Sequence, residues 1–302
     1  MINNFLDRNE PIRPTLALEY SFARRTASGQ STQKMVGNFW ELGSLANSSQ
    51  LIEVPIKSHG LENLSVIIML NLSEPSELLL DLELALNGLK QAITNNYSEA
   101  EIQRLKEKII AQESQNHPDI KTLEVMPCPT IIIGGKYDQF ENLNSEIKRN
   151  VVKFLRSISH TLGASLIFYS IKVPSHTKIV RDVFNNLAFD SPLNPIRQEK
   201  NDFNEPILIK SFSDTWEKIG VMPSNSERIA FQFSTQIQQN KEKKEHKEIS
   251  DPCKDVNFSE KVIDELRAMK DEELMRLIKN SDIKTKFDSF NLSNSPFNYQ
   301  SN

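Results

Sequence analysis

The apolar run Ile131-Ile132-Ile133 breaks into Gly134-Gly135-Lys136-Tyr137-Asp138, and a lysine followed two residues later by a carboxylate at a strand exit can read a purine base. The lysine stem would cover the ring, and the carboxylate would accept from the N–H groups of the base edge. Guanine-nucleotide sites do this with N-K-x-D; here Gly135 takes the Asn position. Earlier, Phe39-Trp40-Glu41-Leu42-Gly43 ends another apolar stretch where such sites carry D-x-x-G, whose Asp orders the Mg²⁺ shell, and Trp40 takes that Asp's place. Glu41 is one residue off, which turns its side chain to the opposite strand face. The phosphate cradle G-x-x-x-x-G-K-[ST], whose glycines let backbone N–H groups wrap phosphates, has no match. The sole Gly-Lys pair, Gly135-Lys136, runs into Tyr137 and has Thr130 five residues before Gly135. Lys136 and Asp138 are therefore candidate base contacts of a worn, vestigial GTP or GDP pocket. The alternative is that they close the strand and pin the following turn, a common use of Asp.

Other candidates weigh less. Thr15 falls near the position where switch I of a Ras-like GTPase offers a Thr to Mg²⁺, but Pro14-Thr15 is also an ordinary strand start. Ser170, and Gly163-Ala164-Ser165 before it, resemble the loop that supports the base in such enzymes. His117-Pro118-Asp119 matches the catalytic tripeptide of J-domain co-chaperones, yet it follows a long helical pattern without the paired basic helix of that domain, and reads as a helix stop. The five histidines lie in unrelated segments without ligand spacing, and Cys128 and Cys253 offer no C-x-x-C, so no metal site is expected. G-x-S-x-G does not occur, and no Ser/His/Asp or Cys/His set stands in a recognisable setting. No catalytic residue is assigned.

These residues need a sheet to hold them. Runs 65–72, 130–133 and 165–169 are continuous and rich in β-branched residues, as buried parallel strands are. Segments 15–23 and 35–42, around a polar linker with Ser28-Gly29-Gln30, suit an antiparallel pair at one edge. Between them lie helical patterns: Ser73 as a cap with Pro75 in the first turn and a helix through 78–93, then a capping box Ser98-x-x-Glu101 opening a helix through Ile110. Residues 144–162 put Ile147, Val151, Phe154, Leu155, Ile158 and Leu162 on one stripe, and Ile179, Val183 and Leu187 form another. Strand alternating with amphipathic helix predicts an α/β domain with helices on both faces.

The 302 residues, 38% hydrophobic, suffice for one sizeable core and appendages. We expect a domain over 1–190, an extension and linker over 191–250 with one added strand at 207–209 and a helix at 226–239, and a C-terminal helix with a disordered tail over 251–302. Asn257 and Glu260 read as a capping pair for that helix, whose broken stripe includes Val262, Leu266, Met269, Leu274, Leu277 and Ile278. Such a stripe either packs back on its own domain or is buried by a partner. The 288–302 stretch, rich in Asn and Ser, is expected to be disordered. A net charge of −4 with mixed signs offers no broad basic field for nucleic acid or anionic membrane. No apolar run reaches the roughly 18 residues of a membrane span, the first eight residues lack a secretory pattern, and the chain reads as cytosolic with reduced thiols.

The words Phe5-Leu6-Asp7-Arg8-Asn9-Glu10-Pro11, Pro14-Thr15-Leu16-Ala17-Leu18-Glu19-Tyr20, Phe39 through Gly43, His117-Pro118-Asp119, Lys136-Tyr137-Asp138 and Gly163-Ala164-Ser165-Leu166, with a weaker return at Asp264-Glu265-Leu266-Arg267, resemble the dynein light intermediate chain family, most of all its cytoplasmic dynein 2 branch. The resemblance implies a Ras-like domain that docks on the dynein 2 heavy-chain tail without needing GTP hydrolysis. Implied partners are that heavy chain, the other intermediate and light chains, and the intraflagellar transport machinery. Implied locations are the cytoplasm, the cytoskeleton and the cilium, at basal body and axoneme. Relatives begin with a further segment holding the first strand and a P-loop-like turn, whereas this sequence starts at what resembles the last turn of the first helix. Without that central strand, the third and fourth strands of a Ras-like sheet would lack their shared neighbour. We therefore expect a truncated gene model, with the natural start upstream. Two functions stay open at this stage: a non-catalytic motor subunit, with Val262, Leu266 and Met269 as a second partner contact, and an active small GTPase switch whose P-loop is absent from this sequence.

Overall fold

Among the described residues six strands divide between two sheets, and the division falls between the second and the third. The structure is a computed structural model that describes residues 1–8, 14–26, 34–43, 45–113, 117–189, 196, 198–240 and 260–293. Strands β1 (Leu18–Thr26) and β2 (Lys34–Leu42) form an antiparallel hairpin in register from Leu18↔Leu42 to Thr26↔Lys34. Strands β3 (Val66–Asn71), β4 (Thr130–Gly135), β5 (Ser165–Phe168) and β6 (Leu208–Ile209) follow in that order in a second sheet, the first three parallel and β6 antiparallel to β5. The break between β2 and β3 lies where the sequence places the third and fourth strands of a Ras-like sheet without a shared neighbour.

Why the parallel strands form is plain from β4, whose every residue is buried. A strand covered on both faces reads as an unbroken apolar run, and alternation then sends neighbours to opposite layers. Ile132 joins Ile68, Leu70, Leu166 and Phe168 in one core, under helices α1 (Leu78–Asn96), α3 (Ser145–Leu162) and α5 (Ser226–Gln236). Ile131 and Ile133 join Ile167, Tyr169 and α4 (Pro174–Phe189) in the other. The hairpin is fastened to this second layer through Ala23, Met35 and Phe39, and the rings of Phe5, Phe39 and Phe184 meet with centroids 5.2 to 5.8 Å apart.

Helix ends repeat this logic, with one exception. Ser98 and Glu101 form the reciprocal capping box ahead of α2 (Glu99–Glu113). Asn144 Oδ1 accepts from Glu146 N–H at the start of α3. Its end turns on Gly163, at φ +65, where an added Cβ would sit 2.5 Å from the Phe212 ring. Ser73, expected to cap α1, instead donates with its N–H and hydroxyl to Asn71 Oδ1, and α1 starts later, at Leu78. Its cap comes from far along the chain: Gln239 Oε1 accepts from Leu79 N–H at 3.2 Å.

That contact belongs to a larger difference from the sequence reading, which drew the edge of the compact domain at 190. The chain divides into two compact units, Met1–Glu242 and Lys243–Asn302. Within the first, residues 198–240 supply β6, a helical turn Trp216–Ile219 and α5. The Phe233 ring of α5 lies parallel to Phe154 of α3 at 3.9 Å. Segment 200–239 reads as a Pro/Asn/Ser-rich extension, yet Ile207, Leu208, Ile209, Trp216, Ile219, Ile229 and Phe233 are buried. In the second unit, α6 (Lys261–Ser293) continues past 288, where disorder was expected. Asn257 and 294–302 lie outside the described residues.

Candidate functional site

At the carboxyl ends of β4 and β5, where open α/β sheets place ligands, the backbone makes a tight knot. Tyr169 N–H donates to Gly134 C=O at 2.7 Å, and Tyr137 N–H to Tyr169 C=O at 3.0 Å. Between them Lys136 sits in the left-handed region at φ 58. This conformation is uncommon for a side-chain-bearing residue, and it turns the exposed lysine and, two residues on, Asp138 out of the strand direction. Asp138 Oδ1 accepts from the Ser170 hydroxyl at 2.7 Å, and Oδ2 pairs with Lys172 Nζ at 2.6 Å. Ser170 Oγ also accepts from Lys172 N–H, and Ser170 N–H donates to His176 Nδ1. The hydrogen bonds from Lys172 and then Ser170 hold the Asp138 carboxyl below its usual range, while burial pushes the His176 imidazole below its own.

The structure thus brings together Lys136, Asp138 and Ser170 and adds Lys172, which sequence reasoning passed over. An S-x-K at a strand exit opposite K-x-D was the available signal. The charge on Asp138 is already matched, so a base edge would have to displace Lys172. Ser165 stands apart, in β5, where its hydroxyl oxygen accepts from Ser211 N–H. Trp40 and Glu41 lie on opposite faces of β2, and Glu41 faces Glu19 across the hairpin. Thr15 meets the other motif through its backbone: a Cβ on Gly43 would fall 1.7 Å from Thr15 C=O, so the glycine that ends the worn D-x-x-G serves close packing here.

A second cluster gathers residues that the sequence kept apart. His117 Nδ1 accepts from Asp119 N–H, which leaves Nε2 protonated to donate to Asp214 C=O at 2.8 Å. Asp119 Oδ2 accepts from His160 Nε2–H at 3.1 Å and from Trp216 N–H at 3.0 Å. Trp216 Nε1–H donates to Thr122 Oγ1, and its ring stands edge-on to His160 at 4.6 Å. Beneath lies a two-pronged ion pair, Arg156 Nε to Asp214 Oδ2 and Nη2 to Oδ1, both 2.8 Å, with side chains only 9% and 6% exposed. His117, Asp119 and His160 could in principle ligate one ion, their donor atoms lying within 4.8 Å of one another. Both His117 nitrogens are spent on hydrogen bonds, so the trio as built is a clamp that holds residues 214–216 against α3 and the 117–122 turn. His117-Pro118-Asp119 is thus more than a helix stop.

Burial, opposed by Asp119, lowers the His160 pKa, and its Nδ1 is buried without a partner among the described residues. Burial also pushes the Cys128 thiol up to about 12, which leaves it protonated and unreactive. In α6, Val262, Leu266 and Met269 are 79%, 57% and 61% exposed, among i,i+3 and i,i+4 ion pairs such as Lys270–Glu273 and Arg276–Glu272. No described helix is long and apolar enough to cross a membrane.

No protein-family model matches the chain. Whole-chain relatives do. It is 33% identical over 294 residues to the cattle cytoplasmic dynein 2 light intermediate chain 1, covering 91% of this chain and 82% of the relative. It is likewise 33% identical to the human protein over 296 residues, with 91% and 82% covered, and to the zebrafish protein over 285, with 89% and 79% covered. Among solved structures, the conserved domain of the dynein light intermediate chain superposes with a TM-score of 0.57 over 80% of this chain and 88% of that one, at 15% identity, which speaks for a shared Ras-like fold. Identity of one residue in three over about nine tenths of the chain places it in the family of cytoplasmic dynein 2 light intermediate chains.

Proposed function

We propose that this chain is a non-catalytic accessory subunit of the cytoplasmic dynein 2 complex. It docks on the heavy-chain tail beside the other intermediate and light chains, and it supports retrograde intraflagellar transport and cilium assembly together with that transport machinery. Its places of work are the cytoplasm, the cytoskeleton and the cilium. The single observation that carries this reading is the 33% identity over about nine tenths of the chain to dynein 2 light intermediate chains.

The Ras-like domain acts in this reading as a rigid scaffold. Phosphoryl transfer needs a phosphate cradle, a Mg²⁺ ligand and a group that positions water. Trp40 stands at the Mg²⁺ position, and Ser44 follows Gly43 where Ras carries Gln, so two of the three parts are lost even with a phosphate cradle supplied upstream. Lys136 and Asp138 are a vestigial base contact, with Lys172 satisfying the carboxylate that a guanine would otherwise engage.

The exposed stripe of α6 supports a second contact, made by Val262, Leu266 and Met269. Each well-buried Leu or Met contributes roughly 1.5 to 3 kcal/mol. Leu266→Asp should therefore lower co-purification of the full chain with the dynein 2 heavy chain from ciliated cells, at unchanged expression and melting temperature. Equal loss of expression and binding would place the stripe in the chain's own core instead. Heavy-chain recovery with the wild-type chain, and no Mg²⁺-dependent GTP turnover by it, is the expected pair of results. Turnover without heavy-chain recovery would establish an active GTPase switch in its place.

A further inference from the structure

The hairpin has one covered face and one bare face. Residues Ser21, Ala23, Met35 and Phe39 point into the layer formed with α4 and Phe5. By the same register the other face carries Leu18, Tyr20, Phe22, Arg24 and Thr26 on β1, opposite Leu42, Trp40, Asn38, Val36 and Lys34 on β2. On it Tyr20, Phe22 and Val36 are 50%, 44% and 49% exposed. The aromatic side chains are already ordered. The Tyr20 ring packs on Trp40 at 4.7 Å and stacks with Phe22 at 6.3 Å, Tyr20 Oη donates to Asn38 Oδ1, and the Arg24 guanidinium lies 5.0 Å over the Phe22 ring. Helix Glu53–His59 approaches the face at its Trp40 end, where His59 stands 6.1 Å from Trp40 and the indole Nε1 is buried.

The bare side carries no acid: Arg24 and Lys34 stand at its far end, whereas the hairpin's two carboxylates, Glu19 and Glu41, fall on the covered side with Arg25. An apolar sheet face in an α/β architecture is normally closed by a helix, and rigid Tyr, Trp and Arg groups are the residues that most often dominate binding energy. Two cations are too few to anchor a nucleic acid on a chain of net charge −4.

We propose that the Tyr20–Phe22–Trp40–Val36 face docks an amphipathic helix of a partner subunit, with an aliphatic stripe over the aromatic side chains and acidic residues against Arg24 and Lys34. This rests on the reading of the chain as a dynein subunit and names the surface that does the docking. The test uses the full chain, a Tyr20→Glu/Phe22→Glu variant and an Arg24→Glu/Lys34→Glu variant, each mixed with purified dynein 2 heavy-chain tail. Binding is followed by size-exclusion chromatography, and the backbone amides of 18–26 and 34–42 by hydrogen exchange. Both variants alter exposed side chains, and their thermal unfolding should match the wild type.

The result expected is protection of the hairpin amides on complex formation and weakening of about tenfold or more in each variant. If the wild type binds and both variants bind equally well without hairpin protection, the docking face is wrong while the subunit reading stands. If the wild type itself fails to bind, the subunit reading fails first. Hairpin protection that appears without the tail, rises with chain concentration and vanishes in the variants would identify a second copy as the occupant and overturn the proposal.

Discussion

Asp138 and Asp214 are both held by a cation, and the difference in their surroundings separates what can open in this molecule from what must stay shut. Asp214 meets Arg156 through two 2.8 Å bonds in a buried site and also fixes Thr215 N–H. Asp138 meets the largely exposed Lys172 and a serine hydroxyl at a strand exit. The pairing chemistry is similar, but its consequence is set by water. A buried charge that loses its partner is stranded, whereas an exposed one is resolvated. The deep pair belongs to the clamp, and the shallow pair lies at the carboxyl ends of β4 and β5.

Breaking each pair should expose the contrast. Asp214→Ala leaves Arg156 charged and buried and should cost about 3 to 5 kcal/mol in urea unfolding. An Arg156→Met/Asp214→Leu double variant should recover most of it. Loss in the single variant no greater than at a surface site would contradict the clamp.

Next in size is the remote cap. Removing the Gln239 acceptor by Gln239→Ala should cost about 0.5 to 2 kcal/mol, with faster amide exchange in the first turn of α1. A cap of this kind explains what the sequence could and could not disclose. The buried strands, the hairpin, the capping box at Ser98 and the stripe of α3 are local patterns, each written within a dozen or so neighbouring residues. The cap of α1, the meeting of Asp119 with His160 and the Arg156–Asp214 pair span about 40 to 160 positions, and no periodicity encodes such distances. Residues 198–240 misled for the same reason: the added strand and the helix from Ser226 were legible, but nothing local says that Trp216, Ile229 and Phe233 join the core beneath β4. Lys136 and Asp138 were legible as a motif; Lys172, which satisfies the aspartate, was signalled only by the S-x-K after β5, and spacing alone does not pair it with Asp138.

The clamp should also respond to acid. Burial depresses the pKa of His160 below the ordinary 6.5, while Asp119 and Asp214 pull it up and His117 pushes it down. A base with a depressed folded pKa binds its proton more readily when the chain is unfolded. Its contribution is therefore present above 6.5 and is lost as pH falls through the folded value. Urea midpoints taken from pH 7.5 down to pH 5 should decline, and His160→Gln should flatten that decline; an unchanged slope in the variant would remove His160 as its source.

The smallest effect is expected at the other carboxylate. Lys172→Ala should leave the thermal midpoint of the chain unchanged, because Asp138 keeps Ser170 and gains water. A marked loss of stability there would erase the distinction between the two pairs.

All of these contrasts describe a domain whose polar chemistry holds it together and presents it to a larger assembly. The most direct measurement is isothermal titration of purified dynein 2 heavy-chain tail into the full chain, in buffer without nucleotide and again with GTP and Mg²⁺. The account predicts a saturable complex with the same affinity in both buffers. No binding to the tail, accompanied by heat from continuing GTP hydrolysis, would contradict it.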